Sequence, residues 1–235
     1  MGKKKLSRFR ELETFERVFQ PPFEEVFQKD YSLKGKWREA VFHNDHPLVL
    51  ELGCGRGEYT LGLARRNPDR NYMGLDIKGA RIWKGAKTAQ EEKIMNVAFL
   101  RTRIEWIRSF FARDEVDEMW ITFPDPQLKR RRNKKRLTGA HFLNRYRDFL
   151  VDGGTIHLKT DNAELYEDTL QLLALNDLPV VRHSGDLYRT GWDDESVTIR
   201  TTYETRFLAE GFPIRYIQLR LPRAGEIKAA THESG

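Results

Sequence analysis

Asp125 stands between two prolines in Phe123-Pro124-Asp125-Pro126-Gln127-Leu128, and the next eight residues, Lys129-Arg130-Arg131-Arg132-Asn133-Lys134-Lys135-Arg136, carry seven cations. Proline fixes φ and removes a backbone donor, so the Asp125 carboxylate is presented by a stiff turn. A carboxylate in that place can act on a bound substrate, or it can simply cap the turn that follows it. The cations form a concentrated surface for a polyanion. A charge run can also be an ordinary solvated loop. Here no Asp or Glu lies between Asp125 and Asp148 to neutralise it locally. A rigid acid beside a phosphate-binding arm points to chemistry done on nucleic acid.

A second constellation lies upstream. Leu48-Val49-Leu50-Glu51-Leu52 is a short apolar run that enters Gly53-Cys54-Gly55-Arg56-Gly57. Such a run reads as a buried parallel strand, and the glycines let the backbone turn sharply and approach a ligand. The dinucleotide fingerprint is G-x-G-x-x-G, and here the third glycine arrives one residue early. Glu51 also puts negative charge beneath the loop, which disfavours a pyrophosphate and favours a cationic ligand. S-adenosylmethionine, with an ammonium, a sulfonium and an adenosine, meets that description. Asp76 lies 19 residues beyond Gly57, close to the roughly 20-residue spacing of a ribose-binding acid. The alternative is a plain tight turn followed by a surface aspartate. Cys54, the single cysteine, reads as a small filler rather than a nucleophile. One cysteine also excludes an internal disulfide and suits a reducing, cytoplasmic setting.

These residues need elements to hold them. The 235-residue chain is 39% hydrophobic and 32% charged with a net charge of +6, the composition of a water-soluble globular domain. Residues 129–136 supply enough of the positives that the remainder is near neutral. No apolar run is long enough to span a membrane, and the basic start Met1-Gly2-Lys3-Lys4-Lys5 lacks the apolar segment of a secretory signal. From Pro47 onward strands and helices alternate. Strands are predicted at 48–52, 71–76, 97–100, 118–123, 154–159 and 214–221, and helices at 58–66, 79–93 and 162–174. Another helix is capped by Thr138, with Phe142, Tyr146 and Phe149 on one face. This order predicts an α/β fold with a mostly parallel sheet and helices on both faces, its ligand beyond the carboxyl ends of the strands. Residues 47–222 are expected to form one domain. Residues 1–46 read as an extension without a strand pattern, whose aromatics pack on that domain and whose Lys3, Lys4, Lys5, Arg8 and Arg10 form a mobile basic tail. Residues 223–235 read as a C-terminal tail.

Taken together, the chain resembles the bacterial tRNA (guanine-N7)-methyltransferase family. The matching residues are Glu51-Leu52-Gly53-Cys54-Gly55-Arg56-Gly57, the Phe123-Pro124-Asp125-Pro126 turn with its arm through Leu137-Thr138, His157-Leu158-Lys159-Thr160-Asp161-Asn162, and Thr201-Thr202-Tyr203-Glu204-Thr205-Arg206-Phe207 followed by Gly211. The resemblance implies a Rossmann-like class I methyltransferase with a seven-stranded sheet. It also implies transfer of the methyl group of S-adenosylmethionine to N7 of guanosine 46 in the tRNA variable loop. Glu51, Gly53, Gly55, Asp76, Arg103 and Asp125 would then contact the cofactor, and Asp125 would also be catalytic. Lys129, Asp161, Thr201 and Glu204 would bind the guanine substrate, and Arg131, Arg132, Lys134, Lys135 and Arg136 would contact the RNA. No metal is expected, and the partner is tRNA, with the protein a monomer or homodimer. Two positions depart from the family pattern: Gln127 stands where an aromatic residue is common, and Arg103-Ile104 replaces an acid and a small residue near the adenine.

The residues agree with this chemistry. Guanine N7 has a free lone pair in the neutral base, so methylation there needs alignment and charge stabilisation rather than a strong base. His157 reads as a packed strand residue. Asp161 and Glu204 offer acceptors for the N1–H and N2–H₂ donors of guanine, and Thr201 a hydroxyl of either polarity. Their plainer roles are a helix cap for Asp161 and a surface position for Glu204. Two other functions fit less of the sequence. An exocyclic-amine methyltransferase acting on adenine or cytosine would be expected to carry an aromatic where Gln127 stands. A non-catalytic RNA-binding module would have no need of Glu51, Asp76 and Asp125.

Overall fold

The computed structural model describes residues 3–229, the side chains of residues 3–6, 9, 130 and 131 excepted. The chain divides into two compact units, Met1–Val116 and Asp117–Gly235.

The first unit contains α1 (Lys3–Leu12), β1 (Val18–Phe19), α2 (Phe23–Val26), β2 (Leu48–Leu52), α3 (Glu58–Arg66), β3 (Asn71–Asp76), α4 (Gly79–Glu91) and β4 (Val97–Arg101). Its strands run in the order β1-β4-β3-β2, every pair parallel. All residues of β2 and β3 are buried, as continuous apolar runs in parallel sheets require. Leu52 pairs with Leu75 and Asp76 with Arg101, so the carboxyl ends of three strands share one edge. The glycine loop leaves from that edge, and Arg103 lies two residues past β4.

The N-terminal stretch differs from expectation. It contains a strand, β1, which raises the strands among the described residues from the expected seven to eight. Two residues are too short to show an alternating pattern. Lys3–Leu12 is a helix rather than a loose basic tail. Leu12 is buried, the Arg8 guanidinium lies 4.5 Å from the Trp83 ring centre, and Trp83 Nε1 donates to Glu11 at 2.8 Å. Of Lys3, Lys4 and Lys5 the side chains lie outside the described residues. The aromatics divide: Phe23 and Phe27 are exposed and stack on each other at 4.6 Å, whereas Trp37 is fully enclosed, meets Phe19 edge-on at 5.0 Å and donates from Nε1 to the Phe110 carbonyl at 2.7 Å. Glu115 holds this segment by accepting from the Gly35 and Trp37 amides at 2.8 and 3.2 Å.

The second unit begins within β5 (Val116–Thr122). It continues through α5 (Ala140–Tyr146), β6 (Leu150–Thr160), α6 (Ala163–Leu175), β7 (Val180–Ser184), α7 (Glu195–Thr198), α8 (Thr202–Ala209) and β8 (Arg215–Leu221). The strand order is β5-β6-β8-β7, with β8 antiparallel to both neighbours. Phe142, Tyr146 and Phe149 are buried as their spacing predicts, but Thr138 does not cap their helix. Gly139 occupies that position, and the buried Thr138 hydroxyl pairs with that of Thr169 at 2.8 Å. His157 is packed, as expected: it stacks on Trp120 with 3.8 Å between ring centres, and Nδ1 pairs with the Tyr216 hydroxyl at 2.7 Å.

Candidate functional site

In the first unit the loop after β2 is anchored to β3, because the amides of Gly53 and Cys54 both donate to the Leu75 carbonyl, at 2.8 and 2.9 Å. Gly53, Gly55 and Gly57 all adopt left-handed φ, at 76°, 56° and 70°, which only glycine takes without strain. Beyond that they divide the work. A Cβ at Gly53 would meet nothing within 4 Å, and one at Gly55 only the Gly53 carbonyl at 3.9 Å; at Gly57 it would lie 2.7 Å from Phe99 Cε1. The first two glycines therefore leave backbone facing open space, whereas the third lets α3 pack on the strands.

Two buried carboxylates flank the loop. Asp76 accepts from the Gly55 amide at 3.0 Å through one oxygen and from the Lys78 amide at 2.7 Å through the other. A carboxylate has about four acceptor sites, so roughly two remain, the number a ribose diol needs. Glu51 accepts through Oε2 from the Thr60 amide at 2.8 Å and from the Thr60 hydroxyl. Thr60 escapes sequence reasoning because nothing in its type distinguishes it from other helix residues. Between the two acids, burial pushes the Cys54 thiol well above its ordinary pKa, and the charges of Glu51 and Asp76 push it further. Cys54 is thus an inert filler. Arg103 is exposed, its guanidinium 5.6 Å from the Trp106 ring centre. Open glycines, acids on either side and a planar cation at the same strand edge fit an adenosine bearing a positive sulfonium.

In the second unit the proline turn is held at its start and at its end. Phe123 and Gln127 both take left-handed φ, 49° and 50°, uncommon outside glycine. The Phe123 amide donates to the Lys159 carbonyl at 2.8 Å. Asp125 is exposed, and one of its oxygens accepts from the Gln127 amide at 3.2 Å. The turn-capping role is therefore real, and it engages one oxygen of the two.

The basic arm forms a 3₁₀ turn over Arg130–Lys135. Lys129, Arg132, Lys134 and Lys135 are exposed; the Arg131 side chain lies outside the described residues. Arg136 is different. It is buried, donates from Nε to the Pro126 carbonyl at 3.1 Å, and pairs with Asp168 and, at 3.6 Å, with Glu164. It anchors the arm instead of offering a free cation, because both α6 acids lie against it.

The remaining expected substrate residues gather at the start of α8. Thr201 and Glu204 form a reciprocal capping box: the Thr201 hydroxyl accepts from the Glu204 amide at 3.1 Å, and the Glu204 carboxylate accepts from the Thr201 amide at 3.4 Å. Glu204 is not on the surface. It is fully enclosed, 2.7 Å from the Lys159 ammonium and 2.7 Å from the Tyr188 hydroxyl, and burial together with that carboxylate raises the Tyr188 pKa strongly. Its oxygens serve these three partners. The cap of α6 is Asn162, whose side chain accepts from the Leu165 amide at 2.7 Å, not Asp161. Asp161 is left half-exposed, and after burial its charge is the next cause raising the Tyr203 pKa. Tyr203 is itself half-exposed and packs on Phe123 with 5.3 Å between ring centres. Lys159 and Tyr203 lie within the quoted motifs but carry no role of their own in the sequence reading, and Tyr188 lies outside those motifs.

Comparison with known proteins identifies the family and the fold. Residues 45–216 match a family model described as "Putative methyltransferase". The chain is 52% identical to the tRNA (guanine-N(7)-)-methyltransferase of Christiangramia forsetii, over 94% of this chain and 99% of that protein. It is 53% identical to the protein of the same name from Porphyromonas gingivalis, over 89% and 86%. Among solved structures, the 16S rRNA methyltransferase KamB superposes with a TM-score of 0.59 at 17% identity, covering 78% of this chain and 92% of that one. That likeness establishes the fold, the Rossmann-like α/β fold of S-adenosylmethionine-dependent methyltransferases. With identity above one half along nearly its whole length, the chain belongs to the tRNA (guanine-N7)-methyltransferase family.

Proposed function

We propose that this protein methylates N7 of guanosine 46 in the variable loop of tRNA, in the cytoplasm, with S-adenosylmethionine as donor. The observation that carries the reading is the anchoring of the arm: Arg136 ties the run of exposed cations to Pro126, next to Asp125. An acid and a phosphate-binding surface built as one piece suit a reaction on a base whose backbone is gripped nearby.

Glu51, Gly53, Gly55, Asp76 and Arg103 hold the cofactor, which when bound supplies an electrophilic methyl group on a sulfonium. Asp76 takes the ribose hydroxyls with its remaining lone pairs. Lys129 contacts the substrate, and Arg132, Lys134 and Lys135, with Arg131, meet RNA phosphates. Asp161 accepts from the guanine edge, and the Thr201 hydroxyl adds a contact of either polarity. Neutral guanine would take the methyl group through the N7 lone pair as the sulfur–methyl bond breaks and its electron pair returns to sulfur, leaving a neutral thioether, so no proton has to leave first. Positive charge then develops on the purine, and the Asp125 oxygen not engaged by Gln127 stabilises it. The test is incubation of the protein with labelled S-adenosylmethionine and an unmodified tRNA transcript, followed by nucleoside analysis. The expected product is 7-methylguanosine, absent when guanosine 46 is changed to adenosine. Label on an exocyclic amine would overturn the reading.

A further inference from the structure

We propose that Lys159 is the positioning residue of the guanine site, joining through its backbone and its side chain the segments that carry Asp125, Asp161 and Thr201; this rests on the function set out above. Lys159 is fully enclosed on β6. Its carbonyl accepts the amide of Phe123, the left-handed residue that opens the Asp125 turn. Its ammonium lies 2.7 Å from Glu204 and donates to the Ile199 carbonyl at 3.3 Å. Glu204 in turn holds the Thr201 amide. The next residue, Thr160, accepts the Asn162 amide through its hydroxyl at 3.1 Å and so fixes the turn on which Asp161 sits. Tyr203 on Phe123 closes the circuit.

Stability alone does not account for this lysine. A buried ion pair is often no more stabilising than apolar residues of the same volume, because both charges must leave water. A capping box needs only its own Thr and Glu, and works as well at a solvated helix end. What the inward-facing carboxylate adds is a fixed distance between the start of α8 and β6, the strand whose Lys159 carbonyl holds the Phe123 amide at the opening of the Asp125 turn. Small errors in such distances are costly, since an approximately 1 Å misplacement of a reacting group can lower turnover about a hundredfold.

The test uses Lys159→Met and, because a lone buried Glu204 could unfold the chain, the double variant K159M/E204Q, which leaves no unpaired charge. Melting temperature, tRNA affinity, kcat for 7-methylguanosine and amide hydrogen exchange are measured on each, with the unmodified protein alongside. At matched melting temperature, kcat is expected to fall about thirtyfold or more while tRNA affinity stays within about threefold, since the exposed arm is untouched. The amides of Phe123, Asp125 and Gln127 and those of Thr201–Glu204 are expected to exchange at least about tenfold faster, with those of β6 unchanged. A folded variant with kcat within about threefold of the unmodified protein would overturn the proposal and leave the pair a structural one. Unchanged exchange in both segments would overturn it as well, and does so whether or not tRNA proves to be the substrate. Failure of the unmodified protein to make 7-methylguanosine would instead sink the function itself.

Discussion

Replacing Asp76 by alanine removes one acceptor from each of two backbone amides and, on the reading above, from two ribose hydroxyls. The two effects can be separated. Inside the protein the Gly55 and Lys78 amides lose partners at 3.0 and 2.7 Å. A buried donor left unsatisfied costs about 1–3 kcal/mol. Asp76 is 8% exposed, so water can reach part of the gap and the lower end of that range applies to each amide. Toward the ligand, two hydrogen bonds to a charged acceptor disappear, together worth about 2–4 kcal/mol, or roughly 30- to 1,000-fold in Kd. Calorimetric titration with S-adenosylhomocysteine measures the second effect and thermal melting the first. A cofactor analogue without the ribose hydroxyls decides between contact and scaffold in a double-mutant cycle. If Asp76 meets the ribose, the analogue binds the unmodified protein weakly, and Asp76→Ala adds little further loss. If Asp76 only braces the loop, the two losses add. Additive losses, or S-adenosylhomocysteine affinity within about threefold of the unmodified protein, would remove Asp76 from the cofactor site.

Asp125→Asn is expected to fold and bind tRNA normally, because the amide oxygen can still accept from Gln127, yet lose at least about tenfold in kcat; a loss of threefold or less would make Asp125 a turn cap and nothing more. Neutralising Arg132, Lys134 and Lys135 should weaken tRNA binding and flatten its log–log salt dependence by somewhat under one unit for each phosphate no longer neutralised; parallel slopes for variant and parent would return the arm to a solvated loop. Gly57→Ala is expected to cost about 2–4 kcal/mol in stability, since its methyl meets the Phe99 ring, whereas Gly55→Ala should cost only about 1 kcal/mol of backbone strain and act mainly on cofactor affinity. Equal melting temperatures for the two variants would contradict the division of labour among the loop glycines. Cys54, buried and with its thiol pKa raised, should resist iodoacetamide at pH about 8 in the native protein and react once the chain is unfolded; prompt native labelling would refute its burial.

The first unit was largely legible because its signals are local. Leu48–Leu52, Asn71–Asp76 and Glu58–Arg66 appear in the structure with the bounds their patterns imply. A continuous apolar run, a glycine loop and a following helix each declare themselves within a few residues. The glycines also carry their φ requirement in their type, since no other residue takes three left-handed positions so close together without strain. Less legible were β1, too short for any period, and α1, whose docking on α4 depends on Trp83 far along the chain.

Charged residues were legible by type but not by direction. Arg136 ends a run of cations and looks like its neighbours, and Glu204 sits among polar residues at a helix start. Both are buried, because their partners come from other segments: Asp168 and Glu164 on α6 for one, Lys159 on β6 for the other. No local rule identifies such pairs, since the spacing between partners is set by the fold and not by a helical or strand repeat. The buried pairs nevertheless give the exposed residues their meaning. Four cations on a free loop would hold RNA without registering it. On the function proposed above, with Arg136 clamped between Pro126 and Asp168, a phosphate gripped by Lys129 or Arg132 would be held at a set distance from Asp125. Loosening that clamp, as in Arg136→Met, is therefore expected to spare tRNA affinity and lower kcat, the reverse of what removing an exposed cation does; tRNA affinity that fell together with kcat would show Arg136 to be a phosphate ligand after all.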